Sequence, residues 1–320
     1  MKVLVGPSQV GLQKAIPDLA QKYPELDFAC CGNRDDVPKM IVDAAVYVGP
    51  VTPEMLRAAK KLEWLQVTST GVDRYLAIPE LGASDIVLTN ARGCHARCVA
   101  ESAFAMILAF TRGIRESVLR QQDREWNQQG MRGALMGLTE ATIGIIGFGS
   151  IGRAVAQLAQ AHCMRILAVD LYPRDKPDFV GALWGLEGLE ALLRQADYVV
   201  VTVPRTALSL GMIGAAQLAP MKPTALLVGV SRGGVIDQEA LAQALRERRI
   251  SAAALDVFQT EPLSADSELW DLPNLLITPH IAGGSQWECR RMLEILDDNL
   301  GRFLRGESPL RNQVDKEKGF

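Results

Sequence analysis

The fold class expected from this sequence is α/β: two flavodoxin/Rossmann-like domains with parallel sheets, one inserted into the chain of the other. Three observations predict it. Short apolar, β-branched runs alternate with helical patterns along most of the chain. One turn between them, in TIGIIGFGSIGR at 142–153, is a complete G-x-G-x-x-G between a buried-strand pattern and an amphipathic-helix pattern. The strands associated with that turn run out near residue 284, and a last helical pattern lies beyond them. A chain that leaves its first domain usually returns to finish it, so residues 1–92 and 285–320 are assigned to one domain, and 93–284 to a nucleotide-binding domain inserted into it.

In the first domain, strands are expected at 2–5, 26–30, 45–48, 64–68 and 86–88, with helices at 10–22 and 53–60. The second helix opens with Thr52 as a cap and Pro53 at its first position. The strand at 64–68 runs into Ser69-Thr70-Gly71-Val72-Asp73. Ligands of open α/β sheets sit beyond the carboxyl ends of strands. That small loop can therefore offer bare N–H groups to a carboxylate, or be a plain polar turn. Residues 96–112 make a long apolar helix that crosses between the domains, in which Glu101 reads as a hydrogen-bonded structural carboxylate. The polar stretch 120–132, loosened by Gly130 and Gly133, reads as an exposed helix and linker, with Trp126 expected under a cleft.

The glycine turn has a physical reading at each position. Gly147 allows the tight turn, Gly149 lets a pyrophosphate approach the backbone, and Gly152 lets the helix pack on the strand. The helix then opens at Ser150 and Ile151 with free N–H groups and a positive dipole end. A second strand, 165–169, ends at Asp170. A carboxylate there accepts from both hydroxyls of an adenosine ribose and repels a 2′-phosphate, which favours NAD (NADH) over NADP. Further strands are expected at 198–203, 225–230, 252–257 and 275–278, with helices at 188–194 and 237–246, the latter capped by Asp237. With the two strands flanking the glycine turn, the nucleotide domain has six.

The totals narrow the classes. A net charge of -3 gives no electrostatic case for nucleic acid or an anionic membrane. No window approaches the ~18 apolar residues of a membrane span, and the amino terminus reads as a strand rather than a signal peptide. Six cysteines (Cys30, Cys31, Cys94, Cys98, Cys163 and Cys289) form no C-x-x-C pair. No metal site is expected, and the location expected is the cytoplasm.

Three ionisable residues follow strands of the nucleotide domain: Arg232 after 225–230, Glu261 after 252–257 and His280 after 275–278. Their types suit hydride transfer to a 2-oxo acid. A guanidinium grips a carboxylate bidentately and polarises the neighbouring carbonyl. An imidazole delivers a proton to the carbonyl oxygen, and a carboxylate beside it fixes its tautomer and favours its protonated form. Each also has an ordinary alternative: an arginine after a strand can cap a helix, and Glu-Pro can end a loop. The other histidines are His95, the second candidate proton carrier, and His162, at the end of the glycine-turn helix.

With these motifs in order, the chain resembles the D-isomer-specific 2-hydroxyacid dehydrogenase family, which includes phosphoglycerate, glyoxylate/hydroxypyruvate and D-lactate dehydrogenases. The resemblance runs through STGVD at 69–73, VAE at 99–101, GFGSIG at 147–152, VD at 169–170, RGGVID at 232–237, LDVF with TEP around Asp256 and Glu261, and TPHIAG at 278–283. It implies that residues 1–92 and 285–320 form the substrate (catalytic) domain. It also implies that Arg232 binds substrate, that Glu261 partners the histidine and that His280 is the acid/base. Asp256 then holds the nicotinamide carboxamide, Val230 and Ser231 line the cofactor, and Val203 and Pro204 flank its adenosine end. Thr70 and Gly71 meet cofactor and substrate, and Gly283, Arg232 and His280 complete the cofactor's surroundings. The small-molecule partner implied is a 2-hydroxy or 2-oxo acid, and the assembly a homodimer through the nucleotide domain. A non-catalytic NAD(H)-sensing scaffold of corepressor type, built on the same fold, keeps the same motifs.

There are departures from the family pattern. Gly229 stands where the family often has asparagine, which loosens that turn. The loop RTALSLG at 205–211 lacks the usual acidic residue. Arg92 and Arg97 replace residues more often uncharged; they face solvent or meet a second acidic group on the substrate.

Overall fold

A computed structural model describes residues 1–7 and 11–319. The chain separates into two compact units, Met1–His95 with Gly284–Phe320, and Ala96–Gly283. The first boundary falls after His95 rather than Arg92, because Ala91 and Cys94 are buried in the first unit's core. The second falls before Gly284 rather than after it. Among the described residues no helix is long and apolar enough to cross a membrane.

The first unit is a five-stranded sheet of β1 (Lys2–Val5), β2 (Asp27–Cys30), β3 (Val46–Val48), β4 (Trp64–Gln66) and β5 (Val87–Thr89). Its strand order is β2-β1-β3-β4-β5, and every pair is parallel. Alternate residues feed two apolar layers: Val46, Val48 and Trp64 on one face, Tyr47 and Leu65 on the other. Parallel sheets covered on both faces need such doubly apolar strands. The helix Glu288–Leu304 covers the first face with Met292, Ile295, Leu296 and Leu300.

A buried polar network ties this helix and the chain after it to the sheet. Trp64 Nε1 donates to Thr89 Oγ1 at 2.7 Å, and Thr89 Oγ1 donates to Gln66 Oε1 at 2.8 Å. Asn299 Nδ2 donates to Gln66 Oε1 at 3.3 Å and to the Arg311 carbonyl at 3.0 Å, while Asn299 Oδ1 accepts from Arg311 N at 2.7 Å. Buried amides are tolerated when satisfied in this way.

The helix expected over 10–22 is instead a 3-10 turn, Leu12–Ala15, followed by an α-helix, Ile16–Lys22; Val10 lies outside the described residues. Pro17 explains the break, since a proline is accommodated only in the first turn of an α-helix. At Pro53–Ala58 the Thr52 hydroxyl accepts from Met55 N at 3.3 Å, the cap expected there.

The second unit is a seven-stranded sheet of β6 (Thr142–Ile146), β7 (Arg165–Val169), β8 (Ala182–Trp184), β9 (Tyr198–Val201), β10 (Leu226–Gly229), β11 (Ala252–Leu255) and β12 (Leu275–Ile277). The order is β12-β11-β10-β9-β6-β7-β8, so the sequence direction reverses between β6 and β9. That switch point is where open α/β sheets bind nucleotides. The sequence reading has six strands here, one fewer. β8 escapes it because three half-buried residues at the sheet edge, flanked by Gly181 and Gly185, make no apolar run.

The long apolar helix is Ala96–Thr111, its buried residues packed in the core with β6, β9 and β10. The stretch after it is two short helices, Ile114–Gln122 and Gln128–Arg132, neither with a buried residue. Trp126 lies between them and is 91% exposed, not under a cleft.

Candidate active site

The glycine turn of the second unit has a steric reason at Gly147 and Gly152 and open space at Gly149. Gly147 has φ +94, and a Cβ on it would lie 2.9 Å from Val203 Cγ1. A Cβ on Gly152 would lie 2.1 Å from the Gly147 carbonyl oxygen, so only glycine lets the helix Ser150–Ala161 sit this close to β6. At Gly149 a Cβ would meet nothing within 4 Å. Gly149 is also the helix N-cap and makes no side-chain cap bond, so open space and free N–H groups coincide. These features fit the diphosphate of a dinucleotide.

Asp170, at the end of β7, ties this turn to the next strand. Its Oδ2 accepts from Phe148 N at 2.6 Å and its Oδ1 from Tyr172 N at 2.8 Å. A carboxylate has about four acceptor positions, so both oxygens can still accept from ribose hydroxyls. After β9, Thr202 Oγ1 donates to the Gly147 carbonyl at 2.8 Å. Beyond Val203 and Pro204, the 205–211 loop is ordered by its own serine: Ser209 Oγ donates to the Pro204 carbonyl at 2.6 Å and accepts from Thr206 N at 2.8 Å.

The three ionisable candidates follow neighbouring strands. β10 pairs with β11, and β11 with β12, all parallel, so their carboxyl ends share one sheet edge. Val230 and Ser231 lead β10 into half-buried Arg232, whose Nη1 donates to the Ser231 carbonyl at 2.8 Å. Beyond β11, Glu261 accepts at Oε1 from Phe258 N at 2.8 Å, which turns Oε2 toward His280 Nδ1 at 2.6 Å. The imidazole, 46% exposed, keeps Nε2 for an exchangeable proton. A histidine whose Nδ1 faces a carboxylate has its tautomer set by that partner.

His280 itself stands at φ +54, a conformation a non-glycine residue adopts only when its surroundings hold it there. Asp256 supplies the hold. Its carboxylate, 1% exposed, accepts from Thr278 Oγ1 at 2.5 Å, Ile281 N at 2.9 Å and Ala282 N at 3.0 Å, while its carbonyl accepts from His280 N at 2.8 Å. The residue expected at a carboxamide thus first of all builds the histidine's turn, with one acceptor position left on Oδ2. Gly283 closes that turn at the end of the unit.

Gly233 brings the arginine and glutamate loops together. A Cβ there would lie 1.7 Å from the Phe258 carbonyl oxygen, beside the amide that orients Glu261. Gly233→Ala is therefore expected to lower stability by about 3 kcal/mol. Thermal unfolding checks the loss, and activity should fall further than the unfolded fraction explains. At Gly229 the expected loosening does not occur. A Cβ would lie 2.8 Å from both Ile236 Cδ1 and Leu255 Cδ2, so these apolar side chains fill the space and the strand pairs on both sides.

Thr70 and Gly71 belong to the first unit. The loop there is pinned by Asn90 Nδ2 donating to the Thr70 carbonyl at 2.8 Å and by Ser69 Oγ donating to the Gly71 carbonyl at 2.9 Å. Arg92 and Arg97 are both exposed. His95 lies 3.7 Å from Glu288 within the first unit, and His162 stacks on Phe104. Sequence reasoning missed Thr278, Thr202 and the Phe258 amide, which act through hydrogen bonds that no spacing rule marks.

Residues 104–282 match the family model described as "D-isomer specific 2-hydroxyacid dehydrogenase, NAD binding domain". That match covers more than half of the chain. The chain belongs to the D-isomer specific 2-hydroxyacid dehydrogenase family. A glyoxylate reductase of Korarchaeum cryptofilum is 38% identical over 324 residues, covering 97% of this chain and 96% of that one. Among solved structures, a D-isomer specific 2-hydroxyacid dehydrogenase family protein from Aeromonas salmonicida has a TM-score of 0.86 at 31% identity, covering 98% of this chain and 99% of that one. A relative from Xanthobacter autotrophicus, solved with NADPH and MES, has a TM-score of 0.86 at 28% identity, with 99% of both chains covered. As a D-isomer specific 2-hydroxyacid dehydrogenase, the chain is an oxidoreductase that works with a nicotinamide dinucleotide.

Proposed function

We propose that this protein is an NAD-dependent 2-hydroxyacid dehydrogenase acting physiologically as a reductase of small 2-oxo acids. The observation that carries the reading is the His280–Glu261 pair at 2.6 Å, at the ends of β12 and β11, on the same sheet edge as Arg232 at the end of β10. Arg232 grips the substrate carboxylate and polarises the adjacent carbonyl. His280 gives its Nε2 proton to the carbonyl oxygen in reduction and takes it back in oxidation. Glu261 holds the ring and sets its tautomer. The cofactor, when bound, supplies or accepts the hydride. It is held by Gly147, Gly149, Ser150, Ile151 and Gly152 at the diphosphate, by Val203 and Pro204 at the adenosine end, and by Val230, Ser231, Asp256 and Gly283 near the nicotinamide.

NADH oxidation with a panel of glyoxylate, hydroxypyruvate and larger 2-oxo acids tests the reading. Turnover on one of them supports it. Tight NADH binding with no turnover on any would favour a dinucleotide-sensing scaffold instead.

For the cofactor, we propose NADH over NADPH on the strength of Asp170. Asp170→Ala is expected to raise the NADPH/NADH ratio of catalytic efficiencies about tenfold, the worth of one charged contact. A wild-type preference for NADPH would defeat the assignment.

The assembly proposed is a homodimer through the second unit. Ile114 and Val118, four residues apart on one helix, are 55% and 53% exposed, and Trp126 beyond them is 91% exposed. A second copy covers these exposed apolar side chains. Sedimentation should give a dimer for the wild type and a monomer after Val118→Lys with Trp126→Ser. The cytoplasm is the proposed location, where the six cysteines stay as thiols.

A further inference from the structure

Arg153 lies one residue past the glycine motif, and its guanidinium makes no contact suited to a diphosphate. Instead Nη1 donates to the Asp175 carbonyl at 2.9 Å and Nη2 to the Arg174 carbonyl at 2.7 Å. Its charged end lies 4.9 Å from the centre of the Phe148 ring. Phe148 and Tyr172 are the two residues whose amides hold the Asp170 carboxylate. Tyr172, Arg174 and Asp175 belong to one exposed segment after β7, in which Asp175 has φ +49. One side chain therefore braces both mounts of Asp170: the Phe148 ring on the glycine turn, and the backbone that carries Tyr172.

We propose that Arg153 is a specificity-determining positioning residue, which clamps the 171–175 segment so that Asp170 meets an unphosphorylated adenosine ribose in fixed orientation. This rests on the dinucleotide reading given above and adds the device that sets its cofactor preference. A carboxylate discriminates between ribose and 2′-phosphoribose only while its direction is held; once free to turn, it gives up the ribose bonds and the repulsion together. The planar guanidinium reaches two successive carbonyls at once, and an ammonium reaches one.

That geometric difference supplies the test. Dissociation constants for NADH and NADPH, measured by cofactor fluorescence, and competition by 5′-AMP and 2′,5′-ADP are compared in wild type, Arg153→Lys and Arg153→Ala. In both variants NADH and 5′-AMP are expected to bind about five- to tenfold more weakly, while NADPH and 2′,5′-ADP change less than twofold. In steady-state assays the loss should fall on the KM for NADH rather than on kcat. An Arg153→Lys protein indistinguishable from wild type overturns the clamp and leaves only a charge effect. Equal weakening of both cofactors overturns the specificity role. A wild-type protein that binds neither dinucleotide fails the underlying cofactor reading, an outcome distinct from either.

Discussion

Replacing His280 by alanine is expected to lower kcat by about three orders of magnitude in both directions, within the range general acid–base groups supply. Two features make this the most severe single lesion. The imidazole is the acid–base group placed on the β10–β12 edge, and the turn built by Asp256 holds the residue at φ +54. Nε2 is the exchanging atom because Nδ1 is taken by Glu261 at 2.6 Å. Glu261→Gln keeps the shape and the Phe258 contact but removes the negative charge beside His280 Nδ1. Reduction, which uses the protonated ring, should then lose more than oxidation, which uses the neutral one. Initial rates in both directions check this. Equal losses would strip Glu261 of its electrostatic part and leave it an orienting one.

Arg232→Lys is expected to lower kcat/KM about a hundredfold, or about 3 kcal/mol of transition-state stabilisation, with NADH affinity nearly unchanged. Lysine keeps the charge and loses the two-pronged geometry that a carboxylate and its neighbouring carbonyl require. The placement behind this expectation is mechanical. Gly233 lets the chain after Arg232 pass against the Phe258 carbonyl, so the arginine loop and the glutamate loop pack directly on each other. A wild-type kcat/KM in Arg232→Ala would remove the arginine from the proposed mechanism.

Much of this arrangement is legible in the sequence, for reasons that differ by residue. The glycines at 147 and 152 are legible because each answers a steric demand no other residue meets, Gly149 because the motif leaves open space at a helix start, and the positions of Arg232, Glu261 and His280 because each follows an apolar strand. The framing task of Asp256 is not legible, because it depends on Thr278 and two amides that the fold brings to it. Pro17 could have been read as a break in the first helix, since its chemistry is local. The edge strand β8 and the exposure of Trp126 could not. The first depends on pairing with β7 and the second on what packs nowhere against it.

The buried network at Asn299 bears on how the chain is made. The second unit is contiguous and can close as soon as it leaves the ribosome. The first cannot, because Met292, Ile295, Leu296 and Leu300, and the Asn299 amide between them, come after about 190 residues of the other unit. At about 5–20 residues per second, that interval lasts roughly 10–40 s. Through it Val3, Val5, Val46, Val48 and Trp64 wait on a sheet face that Leu12 and Leu19 cover only in part, because its partner helix does not yet exist. The nascent first unit is therefore the aggregation-prone stage of synthesis, and the stage at which a chaperone has something to hold.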